Sequence, residues 1–126
     1  MVSLTRLLND YRQAIELGFY WSESEQIIAQ IKSELDEVQA EIGCSNREAL
    51  QEELSDVLHA WVTLVDFCGF DPQETIQLAA KKFEKRLIAL KAVIQEEGLD
   101  DFKNLPRSEK LLVWDKAKQK IKAQAD

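Results

Sequence analysis

An all-α domain, a bundle of about four to five helices, is what this chain predicts. Three observations lead there. Punctuation is scarce, with 4 Gly and 2 Pro in 126 residues, so turns are few and elements long. The residues between breaks are rich in Glu, Lys, Gln, Leu and Ala, which favour helix over strand. Apolar residues recur three and four apart, the spacing that builds one helix face.

Ser3 to about Leu17 forms the first helix, on Leu4, Leu7, Leu8, Tyr11, Ala14 and Ile15, with Gly18 at its end. Phe19-Tyr20-Trp21 follows as an aromatic loop. These rings either plug the end of a core or, through Trp21 or Tyr20, line a pocket for a flat ligand. Ser22 or Ser24 is the expected N-cap of the second helix, which runs to about Ile42 on the stripe Ile27, Ile28, Ile31, Leu35, Val38 and Ile42. At about 100° per residue, Glu34 falls at the edge of that stripe, with Glu37 and Glu41 farther round the same side.

Ser45, with Glu48 at the capping-box position, is expected to start the third helix, which ends near Cys68 before Gly69. This is the most apolar segment, with an arc of roughly 200° centred on Leu54. Glu53 lies inside that arc and Asp56 at its margin. A buried, unpaired carboxylate is costly or takes up a proton, so a cation should meet Glu53. His59 falls on the polar side with Glu52, Ser55 and Asp66, where it reads as solvated. Asp71-Pro72, with Glu74, opens a fourth helix that runs to about Glu97 and stops at Gly98. Its core side is Ile76, Ala79, Phe83, Leu87, Leu90 and Ile94; Arg86 projects into that sector, and Lys82 precedes it by one turn. After a linker from Asp100 to Pro106, a last short amphipathic helix reaches about Ala123. Residues 1–98 therefore read as one bundle domain. Residues 99–126 read as a linker and helix that pack on that domain or on a partner subunit.

The chemistry concentrates in Glu34-Leu35-Asp36-Glu37 and Glu53-Leu54-Ser55-Asp56, on either side of the break Ile42 to Asn46. Carboxylates three apart share one helix face, about 5–6 Å between Cβ atoms. If the break is a helix–helix turn, Glu34, Glu37, Glu53 and Asp56 meet across one seam and offer the hard oxygens that suit Mg²⁺ or Mn²⁺. Two readings stay open for Glu53 and Arg86: a structural ion pair, or a shared polar site in which Lys82 and Arg86 face phosphate oxygens.

Other classes are excluded or weakened. The net charge is −7, and residues 103–126, with seven basic and three acidic residues, leave the remainder at −11. An acidic body argues against nucleic acid as the main ligand, though not against a polyphosphate that arrives with metal ions. The basic end reads as a solvated helix face. No apolar run reaches the length of a membrane span and no secretory signal is apparent, so a cytoplasmic protein with Cys44 and Cys68 as thiols is expected. One His and two Cys do not make a zinc site.

Glu34-x-x-Glu37, Glu53-x-x-Asp56, the apolar helix ending near Gly69-Phe70-Asp71, and Lys82-x-x-x-Arg86 together resemble the MazG-like nucleoside triphosphate pyrophosphohydrolases of the all-α NTP pyrophosphatase superfamily. The resemblance covers about Trp21 to Leu87. It implies a dimeric or tetrameric helical bundle with active sites near subunit contacts. It implies Mg²⁺- or Mn²⁺-dependent cleavage between the α and β phosphates, giving a nucleoside monophosphate and pyrophosphate. Glu34, Glu37, Glu53 and Asp56 would hold metal, Lys82 and Arg86 would contact polyphosphate, and Trp21 is a candidate to stack on the base. The chain carries Ser33, Ser55 and Ala80 where many members have Glu, Gly and a polar residue. Within the superfamily, dUTP or phosphoribosyl-ATP are alternative substrates. Outside it, the alternative is a non-catalytic helical interaction protein whose charges only stabilise the fold.

Overall fold

The computed structural model describes residues 3–125. Their ordered elements are all helical: α1 (Leu4–Glu16), α2 (Ser24–Ile42), α3 (Arg47–Phe67), α4 (Pro72–Glu96), a 3₁₀ turn (Phe102–Asn104) and α5 (Arg107–Ala125). The chain divides into two compact units, one through Ile76 and one from Gln77, with the boundary inside α4.

In the first unit α2 and α3 form a close helical hairpin, and α1 lies on α3. A connection of only four residues requires the two long helices to run antiparallel. The interior is built from Leu8, Ile27, Val38, Ala60, Val62 and Thr63. The Arg12 guanidinium donates to Asp66 at 3.1 Å, and Tyr11 meets His59 edge-on, so α1 is tied to α3 by polar and aromatic contacts as well as packing.

Two helix starts differ from expectation. Glu23, not Ser22 or Ser24, is the N-cap of α2, because the Gln26 side chain reaches back: its Oε1 accepts from Glu23 N at 3.3 Å and from Ser22 N at 3.2 Å. Asn46, not Ser45, caps α3, its Oδ1 accepting from Ala49 N at 3.1 Å. Asp71 opens α4 as expected, accepting from Gln73 N at 2.8 Å with Pro72 in the first turn.

The end of α1 matters for the site. Gly18 adopts φ 101°, the left-handed conformation that favours glycine. Its N–H donates to Ile15 O at 2.9 Å while Phe19 N donates to Ala14 O at 2.9 Å, the paired bonds of a Schellman stop. The chain thus turns sharply out of α1 and carries Phe19, Tyr20 and Trp21 across to the start of α2.

In the second unit α5 folds back on the C-terminal half of α4. Ala89 and Val93 meet Val113 and Ala117, with Leu90, Ile94, Leu99, Phe102 and Ile121 around them. Lys116 bonds Glu97 at 2.6 Å, and Lys120 bonds Glu96. Several residues expected in the core are open to solvent. Leu54, the centre of the apolar arc of α3, is 50% exposed and Leu58 51%. The buried positions of α3 are instead Ala60, Val62 and Thr63. Among the described residues no helix is long and apolar enough to cross a membrane.

Candidate active site

Glu34 and Glu37 stand one turn apart on α2, and Glu53 faces them from α3. Each offers an oxygen, and the three atoms lie within 4.8 Å of one another. Two of these carboxylates carry an anomaly. Glu34 Oε2 and Glu53 Oε2 are buried and, unless a proton is shared with the carboxylate of Glu37, have no hydrogen-bond partner among the described residues. Glu34 is otherwise held by Gln30, whose Nε2 donates to Oε1 at 2.6 Å. No Lys or Arg forms an ion pair with any of the three among the described residues.

Three carboxylates this close repel, and one oxygen each of Glu34 and Glu53 is shut off from water, so both groups hold their protons more tightly than usual. Glu53 is pushed up to about 7, first by hydrogen bonding with Glu37 and by burial, then by the charges of Glu37 and Asp56. Glu34 is also raised, chiefly by burial and by Glu37, against the opposing effect of the Gln30 bond. A charge-assisted contact from a cation is what this arrangement lacks. Unpartnered buried carboxylate oxygens from two helices, free of soft ligands, fit a hard divalent cation such as Mg²⁺ or Mn²⁺.

Asp56 stands apart from this triplet. It lies one turn beyond Glu53 on α3, where its charge raises both Glu34 and Glu53, and it lines an adjoining cleft together with Glu34. That cleft has a volume of about 200 Å³. Tyr11 and Ala14 of α1, Phe19 and Trp21 of the following loop, and Ile27 and Gln30 of α2 face His59, Ala60 and Thr63 of α3 across it. Trp21 therefore lines the cleft, while Tyr20 is not among the lining residues and is 65% exposed.

His59 is exposed, as its place on the polar side of α3 predicts, yet it is not without contacts. Its ring packs edge-to-face on Tyr11, centroids 6.3 Å apart at 84°, and lines the cleft. Tyr11 is itself held above its usual range by burial and by the nearby Asp66. Tyr11, Gln30 and Thr63 were not legible as site residues. A signal did exist on α3: Asp56, His59 and Thr63 repeat at three and four, so a helix that carries Asp56 into a site carries the other two along the same side.

Lys82 and Arg86 lie one turn apart on α4, in the second unit; Lys82 is exposed and Arg86 partly buried. Neither forms an ion pair among the described residues. Cys44, in the turn between α2 and α3, bonds only the Ala40 carbonyl, and both cysteines are free thiols.

Comparison with known proteins agrees with this geometry. Residues 22–88, just over half of the chain, match the MazG nucleotide pyrophosphohydrolase domain. The nucleoside triphosphate pyrophosphohydrolase/pyrophosphatase MazG of Thermotoga maritima is 29% identical over 117 residues, which is 93% of this chain and 44% of that protein. The nucleoside triphosphate pyrophosphohydrolase of Escherichia coli K12 is 27% identical over 100 residues, 78% of this chain and 38% of that protein. This chain thus spans less than half the length of either relative. The matched segment contains both carboxylate motifs, the helices that bring them together, and Lys82 and Arg86: the chain belongs to the MazG nucleotide pyrophosphohydrolase domain family.

Proposed function

We propose that this protein is a nucleoside triphosphate pyrophosphohydrolase, dependent on Mg²⁺ or Mn²⁺, that cleaves between the α and β phosphates. The observation that carries this reading is the pair of buried, unpartnered oxygens of Glu34 and Glu53 in a triplet of carboxylates. Charges kept only for the fold are paired or solvated, whereas these are neither.

In this reading Glu34, Glu37 and Glu53 hold the metal, and Asp56 completes the acidic set from the cleft side. A divalent ion bound there would offset the charge of the incoming polyphosphate and make a water more acidic. The side chains supply the rest. Gln30 fixes the orientation of Glu34 by its 2.6 Å bond. Asp56, outside the triplet yet beside the cleft, is free to orient a water or accept its proton. Trp21 offers a flat face in the cleft for a base. Lys82 and Arg86 keep the role the resemblance implies, binding phosphate oxygens as a point charge and a planar fork. The alternative substrates dUTP and phosphoribosyl-ATP fall within the same chemistry.

We further infer a homodimer or homotetramer. Leu35, Leu54 and Leu58 on the α2–α3 hairpin are each about half exposed, more apolar surface than a lone hairpin should leave in water. A cytoplasmic setting fits the two free thiols.

The test is a panel of nucleoside triphosphates with the full chain and Mg²⁺ or Mn²⁺, read as pyrophosphate and monophosphate by chromatography. Release from at least one substrate, abolished by chelator, is expected. Silence across the panel, together with a melting temperature indifferent to millimolar divalent ions, would leave the interaction-protein alternative standing. Sedimentation at the assay concentration decides the assembly, and a monomer there removes that part of the reading.

A further inference from the structure

The cleft beside the carboxylates has a direction. On α3 its walls are Asp56, His59 and Thr63; on the antiparallel α2 they are Glu34, Gln30 and Ile27. Each series begins at the acidic cluster and steps away by three or four residues. At 1.5 Å per residue, Thr63 stands about 10 Å along the axis from Asp56. The slot therefore starts where phosphate chemistry is proposed and ends two helical turns away between Thr63 and Ile27. That reach suits a nucleotide laid lengthwise, its α-phosphate at the carboxylates and its base at the inner end. Phe19 and Trp21 would flank the ring, supplying the aromatic faces that a base stacks on.

The inner end has a hydrogen-bonding sense. Thr63 is only 3% exposed, and its hydroxyl proton is committed to the His59 carbonyl at 3.0 Å. With that proton spent, Oγ1 presents lone pairs and acts as an acceptor. One turn nearer the carboxylates, the Gln30 amide gives one N–H to Glu34 and keeps one N–H and its oxygen, so it sets no preference. His59, braced against Tyr11, offers one donor and one acceptor when neutral and so does not set the preference. The one committed side chain at the inner end, Thr63, is an acceptor and so favours a base edge with a donor.

We propose that Thr63 is a specificity-determining residue that reads an exocyclic amino group of the base, so that amino-bearing nucleotides are preferred over their oxo counterparts. This rests on the pyrophosphohydrolase reading above. A keto oxygen in the same place would face the lone pairs of Thr63. It could be satisfied only by breaking the bond to the His59 carbonyl.

The experiment compares pairs in which a keto oxygen replaces the amino group and the adjacent ring nitrogen gains an N–H, cytidine with uridine triphosphate and adenosine with inosine triphosphate, by kcat/KM for pyrophosphate release. In at least one pair the amino member should lead by about tenfold, the worth of one hydrogen bond made against one lost. Thr63→Val, nearly equal in size, should reduce that ratio to within about threefold, while Thr63→Ser, which keeps the hydroxyl, should preserve it. Equal rates within both pairs, or a preference that survives Thr63→Val, overturns the assignment and leaves the hydrolase reading intact. No release from any triphosphate overturns both. Should Thr63→Val fail to fold, loss of the preference in Thr63→Ser, checked by circular dichroism for an intact fold, overturns it as well.

Discussion

Two helical hairpins of this protein treat charge in opposite ways. In α4–α5 the interface is Ala and Val, and the charges sit outside it in pairs, Glu97 with Lys116 and Glu96 with Lys120. In α2–α3 three carboxylates crowd within 4.8 Å, and two of their oxygens are buried with no partner among the described residues. The chain does not lack cations, since it carries 16 Lys and Arg against 23 Asp and Glu. Among the described residues none of them pairs with Glu34, Glu37 or Glu53. Paired, half-solvated charge is what a fold tolerates at little gain. Unpaired, buried charge opposes the fold and persists only where something else is to be bound.

The largest effect that could break this contrast is on turnover. Glu53→Gln keeps the shape of the side chain and removes a ligand charge. Pyrophosphate release should fall about a hundredfold or more, since even residues that merely support metal ligands cost 10–100-fold when changed. The helical signal in circular dichroism should not change. Undiminished turnover in this variant would place the metal elsewhere and make the crowding of Glu53 a structural accident.

The next effect is on stability against pH, in buffer stripped of divalent ions. Glu53 has an ordinary value of 4.5 and is raised to about 7 in the fold, so between those values the folded state holds more proton than the unfolded one. Its contribution is therefore fully present below about 4.5 and is lost as pH rises through about 7. The melting temperature should decline from pH 5 to pH 8, and Glu53→Gln should flatten the decline. Added Mg²⁺ should restore more at pH 8 than at pH 5, where protons compete for the same oxygens. An equal gain at both values would separate the metal from these carboxylates.

The smallest effect belongs to the other hairpin. Glu97→Gln removes half of an exposed pair. It should change unfolding free energy by no more than about 1 kcal/mol, with no specific change in pyrophosphate release. Denaturant titration measures the first, and the same assay the second. A loss of several kcal/mol would mean that the two hairpins are less different than their geometry implies.

Much of this is legible in the sequence. The helical class follows from spacing and from the scarcity of Gly and Pro, and Glu53 was suspect because it interrupts an apolar arc. Helix starts were less legible. At Glu23 and Asn46 several adjacent residues can cap, and the choice rests on which side chain completes the bond, as Gln26 does for α2. The exposure of Leu54 and Leu58 was also hidden, because a helical wheel reports an apolar direction without saying whether this same chain covers it.

By itself the sequence determined the long helices, their terminal glycines, and the presence of acidic pairs at a spacing that shares a face. Those properties are local, set by propensity, period and backbone conformation over a few residues. Only the tertiary structure decided that Glu34, Glu37 and Glu53 converge while Asp56 stands at the cleft. It also set the exposed His59 ring against Tyr11, and gave Thr63 a place in the wall of a slot. These depend on the register of α3 against α2 and on α1 lying over α3. Register is fixed by side chains far apart in the chain meeting at van der Waals distance, and no local period encodes it.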